Sequence, residues 1–133
     1  MMRDMRRLLC LALMALGLPL AYGFTDAPEG ADIEFQNKVI DLGTLSRQDD
    51  KQIVRLPFSN SGDLPLVVVE VRTSCSCTTV EYSRKKIMPG QRSALTITMD
   101  PSKAPEGSFY RVLQVHSTAR SGVQHITLKA EIE

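Results

Sequence analysis

No tryptophan occurs in this 133-residue chain, and four phenylalanines and three tyrosines make up its whole aromatic complement. That excludes the antibody-type domain, whose core is built on a buried tryptophan packed against a disulfide between distant strands. Cysteine is scarce too. Of Cys10, Cys75 and Cys77, the last two stand one residue apart, so no framework of bridges staples remote parts of the chain. A large charge of either sign is missing: the formal net charge is +1, which leaves no electrostatic footprint for nucleic acid or an anionic membrane surface. Glycine-rich phosphate loops are absent. Ser117, Ser121, His116 and His125 are the residues that suggest a hydrolase, yet no strand–turn–helix elbow surrounds a serine and no nucleophile–base–acid order is present. No catalytic residue, cofactor or enzymatic activity is therefore expected. Beyond the first two dozen residues there is no long apolar run, no repeat and no sustained helical stripe.

What is present begins with export. Arg3, Arg6 and Arg7 precede a thirteen-residue apolar run, Leu8 to Leu20, and Ala21-Tyr22-Gly23 follows with small residues at the two positions a signal peptidase reads. This is the three-part layout of a secretory signal peptide. Thirteen residues are too few to cross a hydrocarbon core of about 30 Å as a helix, so a removable segment over residues 1–23 is expected, with no membrane insertion after cleavage. Cys10 lies near the start of the run, whereas a lipidated cysteine lies at its end, so Cys10 is discarded with the signal. Loss of three arginines and Asp4 turns the net charge of +1 into −1 for the 110-residue product, Phe24 to Glu133. That product is expected in the periplasm or outside the cell, with chain enough for a two-layer core unaided by metal or disulfide.

Residues 24–31 read as a flexible leader, and residues 32–133 as one domain. Within it apolar residues recur with a period near two, and turn residues punctuate them every eight to twelve positions, the rhythm of an all-β sandwich. Strands are expected at Ile33 to Phe35, Val39 to Leu42 before a turn at Gly43, Gln52 to Phe58, Leu66 to Val71, Leu95 to Met99, Phe109 to Ser117 and Val123 to Ile132. Asn60-Ser61-Gly62-Asp63, Met88-Pro89-Gly90 and Ala119 to Gly122 supply turns, and Asp49-Asp50 beside Lys51 reads as a hairpin tip. The nearly continuous apolar run Leu66 to Val71 suggests a central strand with Val67, Val69 and Val71 inward. The expected fold is an immunoglobulin-like antiparallel β-sandwich of seven or eight strands with no helix.

Four short motifs come in a distinctive order. Asp41-Leu42-Gly43-Thr44-Leu45 precedes Phe58-Ser59-Asn60-Ser61-Gly62-Asp63-Leu64-Pro65-Leu66; Thr73-Ser74-Cys75-Ser76-Cys77-Thr78 follows, and then Ile87-Met88-Pro89-Gly90. In this order they resemble a bacterial exported family, domain of unknown function 1573, over about Ile33 to Ile132. The resemblance implies an immunoglobulin-like fold similar to major sperm protein and pilus-chaperone domains, and it implies no catalytic activity. Ser76 departs from the glycine often found between the two cysteines of that family.

Cys75-Ser76-Cys77 is the one constellation with chemical potential, and three readings stand. In an oxidising compartment the pair forms a disulfide. Residues i and i+2 of an extended strand lie about 6.6 Å apart at Cα, at the limit of the roughly 4.4–6.8 Å that disulfides span, so a relaxed bond needs a turn. As a staple it does little, because it closes a minimal loop. Alternatively the pair exchanges with other thiols, although no helix N-terminus follows to lower a thiol pKa. Or two thiolates bind a soft metal such as Cu(I) or Zn(II). His116 and His125 are the other metal candidates. Pairing residue 118 with 123 sets them opposite each other on the outer face, where the plainer reading is two solvated surface histidines. Cys75 and Cys77, by parity, continue the inward set, so a site shared by all four needs a bend. Arg84-Lys85-Lys86 reads as a solvated turn.

A complete sandwich without a catalytic set points to a non-enzymatic exported protein-binding or scaffolding module, whose partner is a protein or peptide met at an edge strand or loop. The alternative is a thiol redox or soft-metal-handling protein that uses Cys75-Ser76-Cys77.

Overall fold

The computed structural model describes residues 30–133. The signal peptide expected over 1–23, Cys10 with it, and residues 24–29 of the leader lie outside the described residues. Eight strands are present among the described residues: β1 (Ile33–Phe35), β2 (Val39–Leu45), β3 (Gln52–Asn60), β4 (Val68–Arg72), β5 (Thr78–Glu81), β6 (Arg92–Met99), β7 (Gly107–Ser117) and β8 (Gln124–Ile132). They form two four-stranded sheets, ordered β1-β3-β6-β5 and β2-β8-β7-β4.

Alternation does the sorting. Along β3 the side chains of Leu56, Phe58 and Asn60 are buried while Arg55 and Pro57 face solvent. In β6 Leu95, Ile97 and Met99 turn inward, as do Leu113 and Val115 of β7 and Ile126, Leu128, Ala130 and Ile132 of β8. The two inner faces meet as one apolar interior, where Phe35 and Phe58 lie with ring centroids 5.4 Å apart and planes tilted by 45°, a favourable aromatic geometry.

Five of the six strand pairings are antiparallel. The sixth is a departure from the expected all-antiparallel arrangement: β2 runs parallel to β8. The cause is a crossing strand. β1 pairs with β3 in one sheet, the chain breaks over residues 36–38, and β2 then continues against the last strand of the other sheet. β1 reaches along β3 only from Asn60 to Phe58. Pro57 is the next residue. The Asn60 N–H donates to the Gln91 carbonyl on the β6 side, so backbone parity turns the Pro57 nitrogen to the side where β1 has already ended, and no ladder bond is lost.

Three further expectations are corrected. Leu66 to Val71 is not a central strand: β4 is an edge of its sheet. Leu66 and Val68 are the fully buried residues, and Val69 is 53% exposed. A register shift between Val68 and Glu70 inserts one extra residue, so that Val71, rather than Glu70, continues the inward side that Val68 occupies. Asp49-Asp50 is no hairpin tip, because β2 and β3 belong to different sheets; Asp49 N–H donates to the Ser46 carbonyl in an arch between layers. Ala31, expected at the end of a flexible segment over residues 24–31, is instead part of the domain: it is buried, and its carbonyl accepts the Arg120 N–H at 2.8 Å. A single 3₁₀ turn, Pro101–Lys103, follows β6, capped by the Asp100 carboxylate, which accepts the Ser102 N–H.

Candidate functional site

Between β4 and β5 the chain turns through Thr73-Ser74-Cys75-Ser76-Cys77. The Thr78 N–H donates to the Cys75 carbonyl at 3.3 Å, and this turn draws the cysteine Cα atoms to 5.2 Å and the sulfurs to 2.11 Å, disulfide distance. Ser76 achieves it without a left-handed backbone, since among the described residues no non-glycine residue has positive φ. The Thr73 hydroxyl braces the loop by donating to the carbonyls of Cys75 and Thr78, each at 3.5 Å. The Cys77 N–H points at the Cys75 sulfur, 3.3 Å away.

The two cysteines differ in setting. Cys77 is 2% exposed and packs in the interior, and its carbonyl accepts the Asp100 N–H at 2.8 Å, extending the β5–β6 ladder by one rung beyond Thr78–Met99. Cys75 belongs to no ladder and is half-buried at the rim of the core. Beside the loop, Arg72, Thr73, Ser74, Val112 and Gln114 line a shallow recess of about 140 Å³.

The histidines do not oppose each other. Residue Gln114 pairs with His125, and His116 pairs with Glu70 of β4. The β7–β8 connection is longer than a turn over Ala119 to Gly122 implies, since pairing begins only at Val115–Gln124. That shift of two residues preserves parity, so both histidines stay on the outer face but out of line. Cys77 points into the interior, so the four metal candidates do not converge, and among the described residues no group of three or more His, Cys, Asp or Glu side chains is arranged to hold a metal. His116 Nε2 is buried and has no hydrogen-bond partner among the described residues.

The other motifs resolve into architecture. Asn60 is 1% exposed; its amide donates to the Leu64 and Ile87 carbonyls at 2.7 and 2.9 Å, and its Oδ1 accepts the Gly62 N–H at 2.9 Å. Gly62 is glycine because a Cβ there would lie 2.2 Å from the Gly30 carbonyl oxygen. Asp41 Oδ1 accepts the Gly43 N–H, and Gly43, at φ +70°, takes the left-handed conformation within the bulge between Asp41 and Thr44. The turn Met88-Pro89-Gly90 docks on Asn60 through the Gly90 N–H. Of the cysteine motif, Cys77 packs in the interior and Cys75 at its rim.

A second feature joins the chain before β4 to the chain after β5. Leu66 and Ile87 exchange backbone hydrogen bonds at 2.8 Å across the layers, and the Tyr82 hydroxyl reaches the Val69 carbonyl on β4 at 3.5 Å. Leu64, Met88 and Val69 are exposed, Leu64 and Met88 within two residues of the Leu66–Ile87 bridge and Val69 on β4. Sequence reasoning misses this cluster because a bulge in β4 and an interlayer bridge create it, and neither has a local signature.

The sequence profile of a family described as "Protein of unknown function (DUF1573)" matches residues 33–132. The chain belongs to this family. A search of curated proteins finds no match. Among solved structures, this DUF1573 domain is similar to a protein of unknown function from Porphyromonas gingivalis W83, with TM-score 0.67 and 24% identity over 82% of this chain and 50% of the other; the chain thus spans half of that protein's length. It is similar to the ASH / PapD-like domain 7 of human CEP192, with TM-score 0.64 and 12% identity over 80% of this chain and 88% of that one. The periplasmic chaperone SfaE gives TM-score 0.58 at 11% identity over 76% of this chain and 58% of its own. At these identities the likeness is one of fold: the DUF1573 domain is an immunoglobulin-like, PapD-like sandwich.

Proposed function

We propose that this DUF1573 chain is a non-enzymatic exported module that binds a protein partner along its β4 side, receiving an extended segment of that partner as an added strand. The observation that carries the reading is the β4 edge itself. Among the described residues no strand lies beyond it in its sheet, and Val69 stands 53% exposed at its bulge. β1 is three residues long and β5 has four residues ending in exposed Glu81, both familiar ways of discouraging pairing; β2 and β4 each carry a bulge and an exposed acidic residue, and β4 differs in placing an exposed apolar residue, Val69, at its bulge. Strand addition draws its affinity from main-chain hydrogen bonds and its selectivity from alternate side chains. Here the Val69 carbonyl, held by the Tyr82 hydroxyl, would be released to an incoming N–H, and Val69, Met88 and Leu64 offer the apolar contacts. A fold shared with a periplasmic chaperone and a leader of signal-peptide layout support an exported setting.

The test is a photoreactive residue placed at position 69 and, as control, at position 53 on β3, in cells expressing the full chain. A discrete protein adduct at 69, weak or absent at 53 and lost on Val69→Pro, is expected. Equal labelling at both positions, or none at 69, would overturn the strand-addition reading.

A further inference from the structure

We propose that Cys75–Cys77 is an exchange site for a protein dithiol, with Cys75 the sulfur that is attacked; this is independent of the strand-addition reading. Three observations converge. Cys77 is sealed in the interior at 2% exposure, while Cys75 sits half-buried on a loop between two edge strands, so an approaching thiolate meets Cys75 first. Cys77 is fixed to the β5–β6 ladder through the Asp100 N–H, whereas Cys75 is held by turn hydrogen bonds alone, from the Thr78 N–H at 3.3 Å and the Thr73 hydroxyl at 3.5 Å to its carbonyl, so the Cys75 side of the bond yields more readily. The bond closes a loop of sequence separation 2, and so short a loop removes little freedom from the unfolded chain; opening it leaves the sandwich standing.

In the first step a thiolate of the partner forms a bond to Cys75 Sγ, the Cys75–Cys77 bond breaks, and its electron pair stays on Cys77 Sγ, which takes a proton from water once the Cys75 side of the loop has moved aside. The Thr78 hydroxyl lies 3.5 Å from that sulfur and can donate to it as charge develops. The partner's second thiolate then attacks its own sulfur in the mixed disulfide. A partner disulfide forms and Cys75 leaves as thiolate, with the Cys77 N–H 3.3 Å from its sulfur as a ready donor. The partner loses two electrons, and the cysteine pair gains them. The recess lined by Arg72, Thr73 and Ser74 lies next to Cys75 in the chain, and Arg72 there is paired with Glu70 at 3.1 Å.

The experiment uses the full chain with Cys10→Ser to keep the count of sulfurs unambiguous, in native buffer, with dithiothreitol as the probe. Intact mass after alkylation reads opening of the pair, and acid quench with peptide mapping of the wild-type pair locates the first adduct. The pair is expected to open without denaturant, with the first adduct on Cys75. Cys77→Ser is expected to react with oxidised glutathione at least about tenfold faster than Cys75→Ser, as burial slows a thiol. A pair that resists dithiothreitol until the protein unfolds, or a first adduct on Cys77, would overturn the proposal. The mapping of the unsubstituted pair decides the matter even where a variant fails to fold.

Discussion

The side-chain amide of Asn60 donates to the Ile87 carbonyl at 2.9 Å, joining residues 27 apart in sequence. The same NH₂ group reaches the Leu64 carbonyl, so one buried side chain pins two turns that come from different parts of the chain. Asn60→Ala leaves these carbonyls and the Gly62 N–H to find other partners in a region where water is excluded. The expected cost is about 3 kcal/mol, since each buried polar group left unpaired forfeits roughly 1–3 kcal/mol. Asn60→Asp is expected to be at least as damaging, because a carboxylate offers no donor to the two carbonyls it faces. Urea midpoints for the two variants check both statements. A loss below the effect of an ordinary surface substitution would show that the amide is not the hinge of this end of the sandwich.

Gly62→Ala follows from a distance rather than from a dihedral. The added Cβ would lie 2.2 Å from the Gly30 oxygen and 2.5 Å from the Asp32 nitrogen, both backbone atoms. Backbone has no rotamer by which to give way, so the segment at residues 30–32 must lift off. The hydrogen bonds from Asp63 N–H to Gly30 and from Ser61 N–H to Asp32 are lost with it. Destabilisation of about 2–4 kcal/mol is expected, within the range for overpacking joined to lost hydrogen bonds. Amide exchange should speed up at Ser61 and Asp63 first. Uniform protection across the turn in the alanine variant would contradict this account.

The two turns illustrate how much of the fold is legible in the sequence and where legibility stops. Alternation in residues 52–58, 95–99 and 123–132 reports directly on burial, because a strand with one face inward has no other way to sort its side chains. Turn residues at 60–63 and 88–90 mark chain reversals for local reasons. Neither signal says that the two turns meet, since that contact is made by Asn60 where β3 and β6, distant in sequence, end side by side in one sheet. The run Leu66 to Val71 misleads for a related reason: the consecutive valines Val67, Val68 and Val69 hide a one-residue bulge that period-two reading cannot detect, and an edge strand looks central. β2 beside β8 is missed because parallel pairing of a crossing strand is a property of the whole topology. At the cysteine pair, spacing makes the geometric problem visible, but the turn that solves it rests on Thr73 and Thr78 as much as on Ser76.

Asp32 gives the domain a share of its acid sensitivity. Its carboxylate accepts the Ser121 hydroxyl at 2.6 Å and the Ile33 N–H at 3.0 Å, and pairs with Arg120 at 3.4 Å. The Ser121 hydrogen bond leads in holding its pKa below the ordinary carboxylate value, with burial opposing and Ile33 and Arg120 assisting. A folded-state pKa below the unfolded one means that the stabilisation is present above the unfolded value, about 3.9 for Asp, and is lost as pH falls through the lower folded value. Asp32→Asn keeps the shape and removes the charge. The stability gap between wild type and variant is therefore expected to be widest near neutral pH and to narrow below about pH 4. Denaturation midpoints across an acid series report it, and a gap that stays constant with pH would assign the effect to something other than ionisation.

Reduction of the cysteine pair should leave the sandwich nearly as stable as before. Closing a three-residue loop restricts the unfolded chain by less than about 2 kcal/mol on the chain-entropy estimate, and Cys77 can remain in its buried place as a small apolar thiol. Leu113, fully buried on β7, sets the scale: Leu113→Ala is expected to cost about 3 kcal/mol through lost burial and the cavity it leaves. Urea midpoints with and without dithiothreitol, beside that of Leu113→Ala, place the two effects in order. Should reduction cost more than the core truncation, the pair would be a structural staple, since the bond would then be holding β4 and β5 together more strongly than their shared apolar interior does.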